Sequence, residues 1–134
     1  KECSLESMVE WSSTLDRASP YLIEGAGGAL VPLNSKQLLI EFPIQMGWPI
    51  LIVASSKLGG INHTLMTVEA LESRNANILG IVSVGDDDPS YNSALRSHSI
   101  VKHLCHIPHC SEPFISNALE HGQALSQALL DKLR

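Results

Sequence analysis

Pro49-Ile50-Leu51-Ile52-Val53-Ala54 runs directly into Ser55-Ser56-Lys57-Leu58-Gly59-Gly60, and this stretch decides the fold. An apolar, β-branched run of this length reads as a strand covered on both faces in a parallel sheet. The glycine-bearing loop ends it. Residues 61–74 then return to helical spacing through Leu65, Val68, Ala70 and Leu71, with Asn62 in position as a cap. A second apolar run follows at residues 78–84. Strand, loop, helix and strand in that order imply right-handed crossovers, and so an α/β fold with a parallel sheet and helices on both faces. Ligands in such sheets sit beyond the carboxyl ends of the strands.

Toward the amino terminus, Leu5, Met8, Val9 and Leu15 recur at helical spacing over residues 4–17, and Ser19-Pro20 ends the pattern. Tyr21-Leu22-Ile23 reads as a short buried strand entering the turn Glu24-Gly25-Ala26-Gly27-Gly28. Residues 36–47 carry Leu38, Leu39, Phe42 and Met46 on one side of a helix that Pro43 must weaken. Toward the carboxyl terminus, Asp86-Asp87-Asp88-Pro89 reads as a loop, residues 90–97 as a short helix and residues 101–106 as a further strand. Residues 115–133 close the chain as an amphipathic helix, with Lys132 and Arg134 at the negative end of its dipole.

The 134 residues fit one domain, and 44% hydrophobic against 17% charged residues imply a packed core. The longest apolar run falls far short of the roughly 20 residues that span a bilayer, and the opening residues do not read as a signal peptide. Nine basic against fourteen acidic residues give a net charge of −5, and aromatics are 4%. Nucleic acid is therefore excluded as the main partner. Cys3, Cys105 and Cys110 are an odd number without a secretion signal, as expected of reduced thiols in a cytoplasmic protein.

Two strand-end loops carry the chemistry. In Ile23-Glu24-Gly25-Ala26-Gly27-Gly28 a carboxylate leaves the sheet among residues whose backbone N–H groups can approach an anion closely, and Glu24 suits a hard cation such as Mg²⁺. A tight turn with a satisfied carboxylate is the plainer alternative. Leu58-Gly59-Gly60-Ile61-Asn62 opens a helix, where free N–H groups suit a carboxylate or phosphate.

Taken together, Ile23 to Gly28 with Pro32-Leu33, and the run from Pro49 through Lys57-Leu58-Gly59-Gly60-Ile61-Asn62-His63-Thr64-Leu65-Met66-Thr67, resemble the dethiobiotin synthetases. The resemblance covers most of the chain. It implies a P-loop NTPase-like, Rossmann-like three-layer fold and a homodimer with active sites at the subunit interface. It also implies ATP, Mg²⁺, CO₂ and the diamine carboxylate 7,8-diaminopelargonate as ligands. A carbamate of the substrate is phosphorylated by ATP in that family, and the second amine then closes the ureido ring. Carried over by position, Glu24 is the metal ligand. Gly25, Ala26, Gly27 and Gly28 line the substrate and phosphate region, and Leu58, Gly59, Gly60, Ile61 and Asn62 hold the substrate carboxylate across the dimer. Val84, Pro108 and His109 fall along the nucleotide base, with Val84 where the family has a base-reading asparagine.

Nothing in residues 1–134 matches the family's GxxxxGK[ST] phosphate loop or the lysines that follow it. The expectation is therefore the C-terminal part of a longer P-loop ligase domain, inactive by itself. A non-catalytic carboxylate-binding or regulatory module on the same fold is the alternative, and a cobyrinate-type amidating relative a third. Cys105-His106-Ile107-Pro108-His109-Cys110 packs potential zinc ligands into one short stretch stiffened by Pro108, unlike the two separated ligand pairs of closed zinc sites. Asp86-Asp87-Asp88 reads as a solvated loop.

Overall fold

The computed structural model describes residues 3–16, 18–109 and 114–133. The elements run α1 (Leu5–Ser12), α2 (Glu41–Gln45), β1 (Ile50–Ser55), α3 (Gly60–Glu72), β2 (Ile78–Gly85), α4 (Pro89–His98), β3 (His103–Pro108) and α5 (Phe114–Leu133). The strands form one parallel sheet in the order β1-β2-β3, so the expected α/β fold stands.

The alternation of side chains along β1 sends Ile52 and Ala54 into the core. There they meet Val68 and Leu71 of α3, Ile81 of β2, Tyr91 and Leu95 of α4, and Ile40 from the segment before α2. Val53, on the opposite face of β1, is 68% exposed, which corrects the expectation of a strand covered on both faces. Its apolar sequence alone does not distinguish a covered face from an open one. The central strand differs: residues 80–83 of β2 are all buried.

The β2–β3 ladder is irregular. Ile81 pairs with His103 but Val82 with Cys105, so Leu104 is the extra residue of a bulge in β3. Gly80 leaves the room for it, because a Cβ there would lie 2.6 Å from Leu104 Cγ and 2.8 Å from the Lys102 carbonyl.

Three expectations near the amino terminus give way to local hydrogen bonding. Ser4 and Ser7 cap α1 reciprocally. The hydroxyls of Ser12, Ser13 and Thr14 then donate to the carbonyls of Val9, Glu10 and Trp11, offering the backbone a turn that ends the helix at Ser12. Tyr21-Leu22-Ile23 is not a strand: Leu22 is almost fully exposed. The Tyr21 hydroxyl accepts from the Asp16 N–H and so ties this segment to the residues after α1 rather than to the sheet. Residues 36–40 are not helical, because Asn34 Oδ1 takes the N–H groups of Lys36 and Gln37 and Leu38 forms an isolated antiparallel bridge with Pro32. Helix α2 begins only at Glu41, which puts Pro43 in the first turn, where its missing donor is harmless. β3 starts two residues later than the hydrophobic pattern suggests. Cys110 and the cysteine–histidine cluster it would complete lie partly outside the described residues.

Candidate functional site

The carboxyl edge of the sheet is assembled by a set of short bonds. Ser55 at the end of β1 stands opposite Val84, and the Ser56 N–H donates to the Val84 carbonyl at 3.0 Å. Ser56 Oγ donates to the Asp86 carbonyl at 2.8 Å. On the other side Gly85 pairs with Pro108, and the His109 N–H donates to the Gly85 carbonyl at 3.1 Å. Gly85 has φ +129°, and a Cβ on it would lie 2.5 Å from Ser56 Oγ, so this junction requires glycine. Val84 and the consecutive pair Pro108-His109, far apart in sequence, are thus brought to one edge. Ser56, which holds that edge together, went unnoticed in the sequence; its only signal was a hydroxyl directly after a parallel strand.

From the same edge the chain turns through Lys57-Leu58-Gly59 into α3. Gly59 takes the left-handed conformation at φ 84° and caps the helix without any side-chain bond. Gly60 is buried, and a Cβ there would overlap the Ser55 carbonyl oxygen. The Gly60 N–H bonds the Lys57 carbonyl and the His63 N–H bonds the Gly59 carbonyl. No hydrogen bond among the described residues occupies the N–H groups of Ile61 and Asn62, which stand at the positive end of the α3 dipole. Asn62 is not the cap expected from its position: it lies inside the helix, and its Nδ2 reaches Met66 Sδ at 3.4 Å. Leu58 is fully exposed and Ile61 half-buried.

The first loop stands apart. Glu24, Gly25, Ala26, Gly27 and Gly28 are all exposed. Gly27 has φ +86°, and a Cβ on it would lie 2.9 Å from Val31 Cγ2, so the turn that follows Glu24 is built for glycine. No hydrogen bond joins this loop to residues 55–62 among the described residues. As a metal ligand Glu24 offers one carboxylate, and the described residues contain no group of three or more histidine, cysteine or carboxylate side chains that could hold an ion. A single exposed carboxylate fits Mg²⁺, which keeps several waters and takes its remaining ligands from phosphates. Shallow hollows run along α5 at Ala118 and Gly122 and along α4 at Asn92 and Arg96, and no residue of either loop lines them.

Asp88 has a role that loop composition hid. It caps α4: Ser90 donates to Asp88 Oδ1 through its hydroxyl at 2.6 Å and its N–H at 2.8 Å, and these bonds hold the carboxyl below its ordinary range. Behind it, buried Thr64 Oγ1 donates to the Gly60 carbonyl at 2.7 Å and lies 3.1 Å from the Tyr91 hydroxyl, linking α3 to α4 beneath the edge.

Comparison with known proteins gives a family model described as an AAA domain, matched over residues 1–112. An ATP-dependent dethiobiotin synthetase of Anaeromyxobacter dehalogenans is 36% identical over 100% of this chain, which spans 61% of that relative. A second synthetase of the same name, from Anaeromyxobacter sp., is 43% identical over 67% of the chain and 42% of its own length. A third, from Paramagnetospirillum magneticum, is 41% identical over 66% of the chain and 43% of its own length. The chain spans about half the length of the curated relatives it matches.

Proposed function

The chain belongs to the AAA domain family and is a relative of the ATP-dependent dethiobiotin synthetases, and from that premise we propose that it serves the same reaction of biotin biosynthesis. The observation that carries this reading is the uncapped start of α3 at the carboxyl edge of the sheet. There the N–H groups of Ile61 and Asn62 suit the carboxylate of a diamine substrate, with Leu58, Gly59 and Gly60 shaping the approach. Gly25 to Gly28 offer backbone donors to the reacting carbamate and phosphate. Val84, Pro108 and His109 form the surface on which the nucleotide base rests. Val84 has no side-chain donor or acceptor, so the base is held there by packing rather than by side-chain hydrogen bonds.

Glu24 would hold Mg²⁺, and the bound ion supplies charge neutralisation to the phosphates of ATP. The other steps fall to the chain's own groups: the α3 N–H groups orient the substrate, and the glycine turn after Glu24 lets backbone donors approach the oxygen that gains charge. The protein acts as a homodimer in the cytoplasm, with each substrate carboxylate held across the interface. No described helix is long and apolar enough to cross a membrane. Because residues 1–134 hold no GxxxxGK[ST] loop, they bind the diamine carboxylate but turn over no ATP by themselves.

The test joins residues 1–134 to the phosphate-loop half of a relative and follows ATP consumption with 7,8-diaminopelargonate, bicarbonate and Mg²⁺. Turnover is expected, and Glu24→Gln should lower it on the order of 100-fold. Unchanged turnover in Glu24→Gln would remove Glu24 as the metal ligand. Diamine binding without turnover in the chimera would favour a non-catalytic carboxylate-binding module.

A further inference from the structure

Two histidines three residues apart on a regular strand face opposite sides of the sheet. The bulge at Leu104 reverses that for β3. His103 pairs beside Ile81 and His106 beside Ser83, so both imidazoles come to the face shared by Ile81 and Ser83, where α4 packs. Ser83 Oγ lies 2.9 Å from His103 Nε2 and 2.9 Å from His106 Nδ1, with Asn92 Oδ1 of α4 at 3.4 Å. Ser83 is completely buried, and His106 Nε2 is buried with no hydrogen-bond partner.

A serine hydroxyl has one proton to give. Asn92 Oδ1 at 3.4 Å lies beyond the usual O–H···O range, so the hydroxyl donates to one imidazole nitrogen at 2.9 Å and accepts from the other. If His106 Nδ1 were the acceptor, its own proton would sit on Nε2, a buried donor with nothing to receive it. The opposite arrangement leaves only a lone pair there, and orphaned buried N–H groups are the rarer and costlier case. The order is therefore His106 Nδ1–H to Ser83 Oγ, and Ser83 O–H to His103 Nε2, which puts the remaining His103 proton on Nδ1.

We propose that Ser83, His103 and His106 form a proton-responsive latch between β2 and β3, closed when both imidazoles are neutral and Nδ1-protonated. A proton arriving on His103 Nε2 turns that nitrogen from acceptor into donor. Ser83 Oγ then faces two donors, and its own proton has only the longer path to Asn92 Oδ1. Burial first, then the Arg96 charge and the neighbouring His106, already hold His103 below the ordinary imidazole value of 6.5. Among the packed elements, α4 brings Tyr91, Arg96 and His98, β2 brings no ionisable side chain, and α5 brings His121 among its described side chains. None of the described side chains among these is a carboxylate.

The sign follows from linkage. The folded state resists a proton that the unfolded chain accepts near pH 6.5, so the latch's contribution is fully present above that pH and is lost as pH falls below it toward the lowered folded value. Opening would free Pro108 and His109 from Gly85. Its effect on a nucleotide rests on the function proposed above, whereas the latch itself does not.

The test uses the 134-residue chain without ligand. Carbon-13 and nitrogen-15 NMR at pH 7.5 should find both His103 and His106 as Nδ1–H tautomers, and Ser83→Ala should return His103 to the commoner Nε2–H form. Urea midpoints from pH 8 to pH 5 should show the folding constant of the wild type falling by up to about tenfold per pH unit below 6.5. His103→Gln should flatten that slope. An Nε2–H tautomer at His106 in the wild type, an unmoved His103 tautomer in Ser83→Ala, or an unaltered slope in His103→Gln would each overturn the latch. The wild-type spectrum decides the tautomers even if Ser83→Ala does not fold.

Discussion

Gly60→Ala tests whether the turn into α3 is as tight as its geometry indicates. A Cβ at Gly60 would overlap the Ser55 carbonyl oxygen, approach the Ser55 carbonyl carbon to 3.1 Å and Tyr91 Cε2 to 3.2 Å. Two of these neighbours are backbone at the end of β1 and cannot swing aside as a side-chain tip does. Relief requires α3 to move away from the strand, which strains the contact between Thr64 Oγ1 and the Tyr91 hydroxyl of α4. Overpacking of a tight site costs about 1–3 kcal/mol, and a backbone clash belongs at the upper end. Replacing glycine by alanine in a helix returns at most about 1 kcal/mol. The net loss is about 2 kcal/mol, or about 30-fold in the folding constant. With a urea slope of about 2 kcal/mol/M, the midpoint should fall by roughly 1 M. Gly28→Ala is the matched control: nothing lies within 4 Å of its added Cβ and its φ is not positive, so its midpoint should stay within about 0.3 M of the wild type. Equal midpoints for Gly60→Ala and wild type, or equal losses in the two variants, would refute the steric reasoning.

Two further outcomes follow from the packing. Leu71, 1% exposed between α3 and the sheet, should lose about 2–5 kcal/mol as Leu71→Ala in the same urea titration, whereas truncating fully exposed Leu58 should change little. Gly85→Ala combines a φ of +129° with a contact of 2.5 Å to Ser56 Oγ, so it should lose about 1–3 kcal/mol and speed amide exchange at Ser56 and His109, which hold the edge together.

Much of the sheet was legible because its signals are local. The runs at residues 50–54 and 78–84 and the helical spacing of Leu65, Val68 and Leu71 each carry their own periodicity, and their alternation is enough for a parallel α/β sheet. Candidate loops were legible for the same reason: the glycines at 27 and 59 do adopt positive φ, and Gly60 is required where α3 begins. Tyr21-Leu22-Ile23 shows the limit. Three apolar residues satisfy a strand pattern, but a strand also needs a neighbour to receive its backbone bonds, and that neighbour is not encoded in the segment.

What the sequence by itself determined is the order and type of the main elements, the family resemblance, and the glycines that its turns require. Tertiary structure alone decided that Val53 faces outward, that Ser56 ties β1 to β2, and that His103 and His106 meet at Ser83. The physical reason is one of range. Hydrophobic period and turn chemistry act over a few residues along the chain, whereas register, bulges and shared hydrogen bonds depend on residues that become neighbours only when distant strands pair.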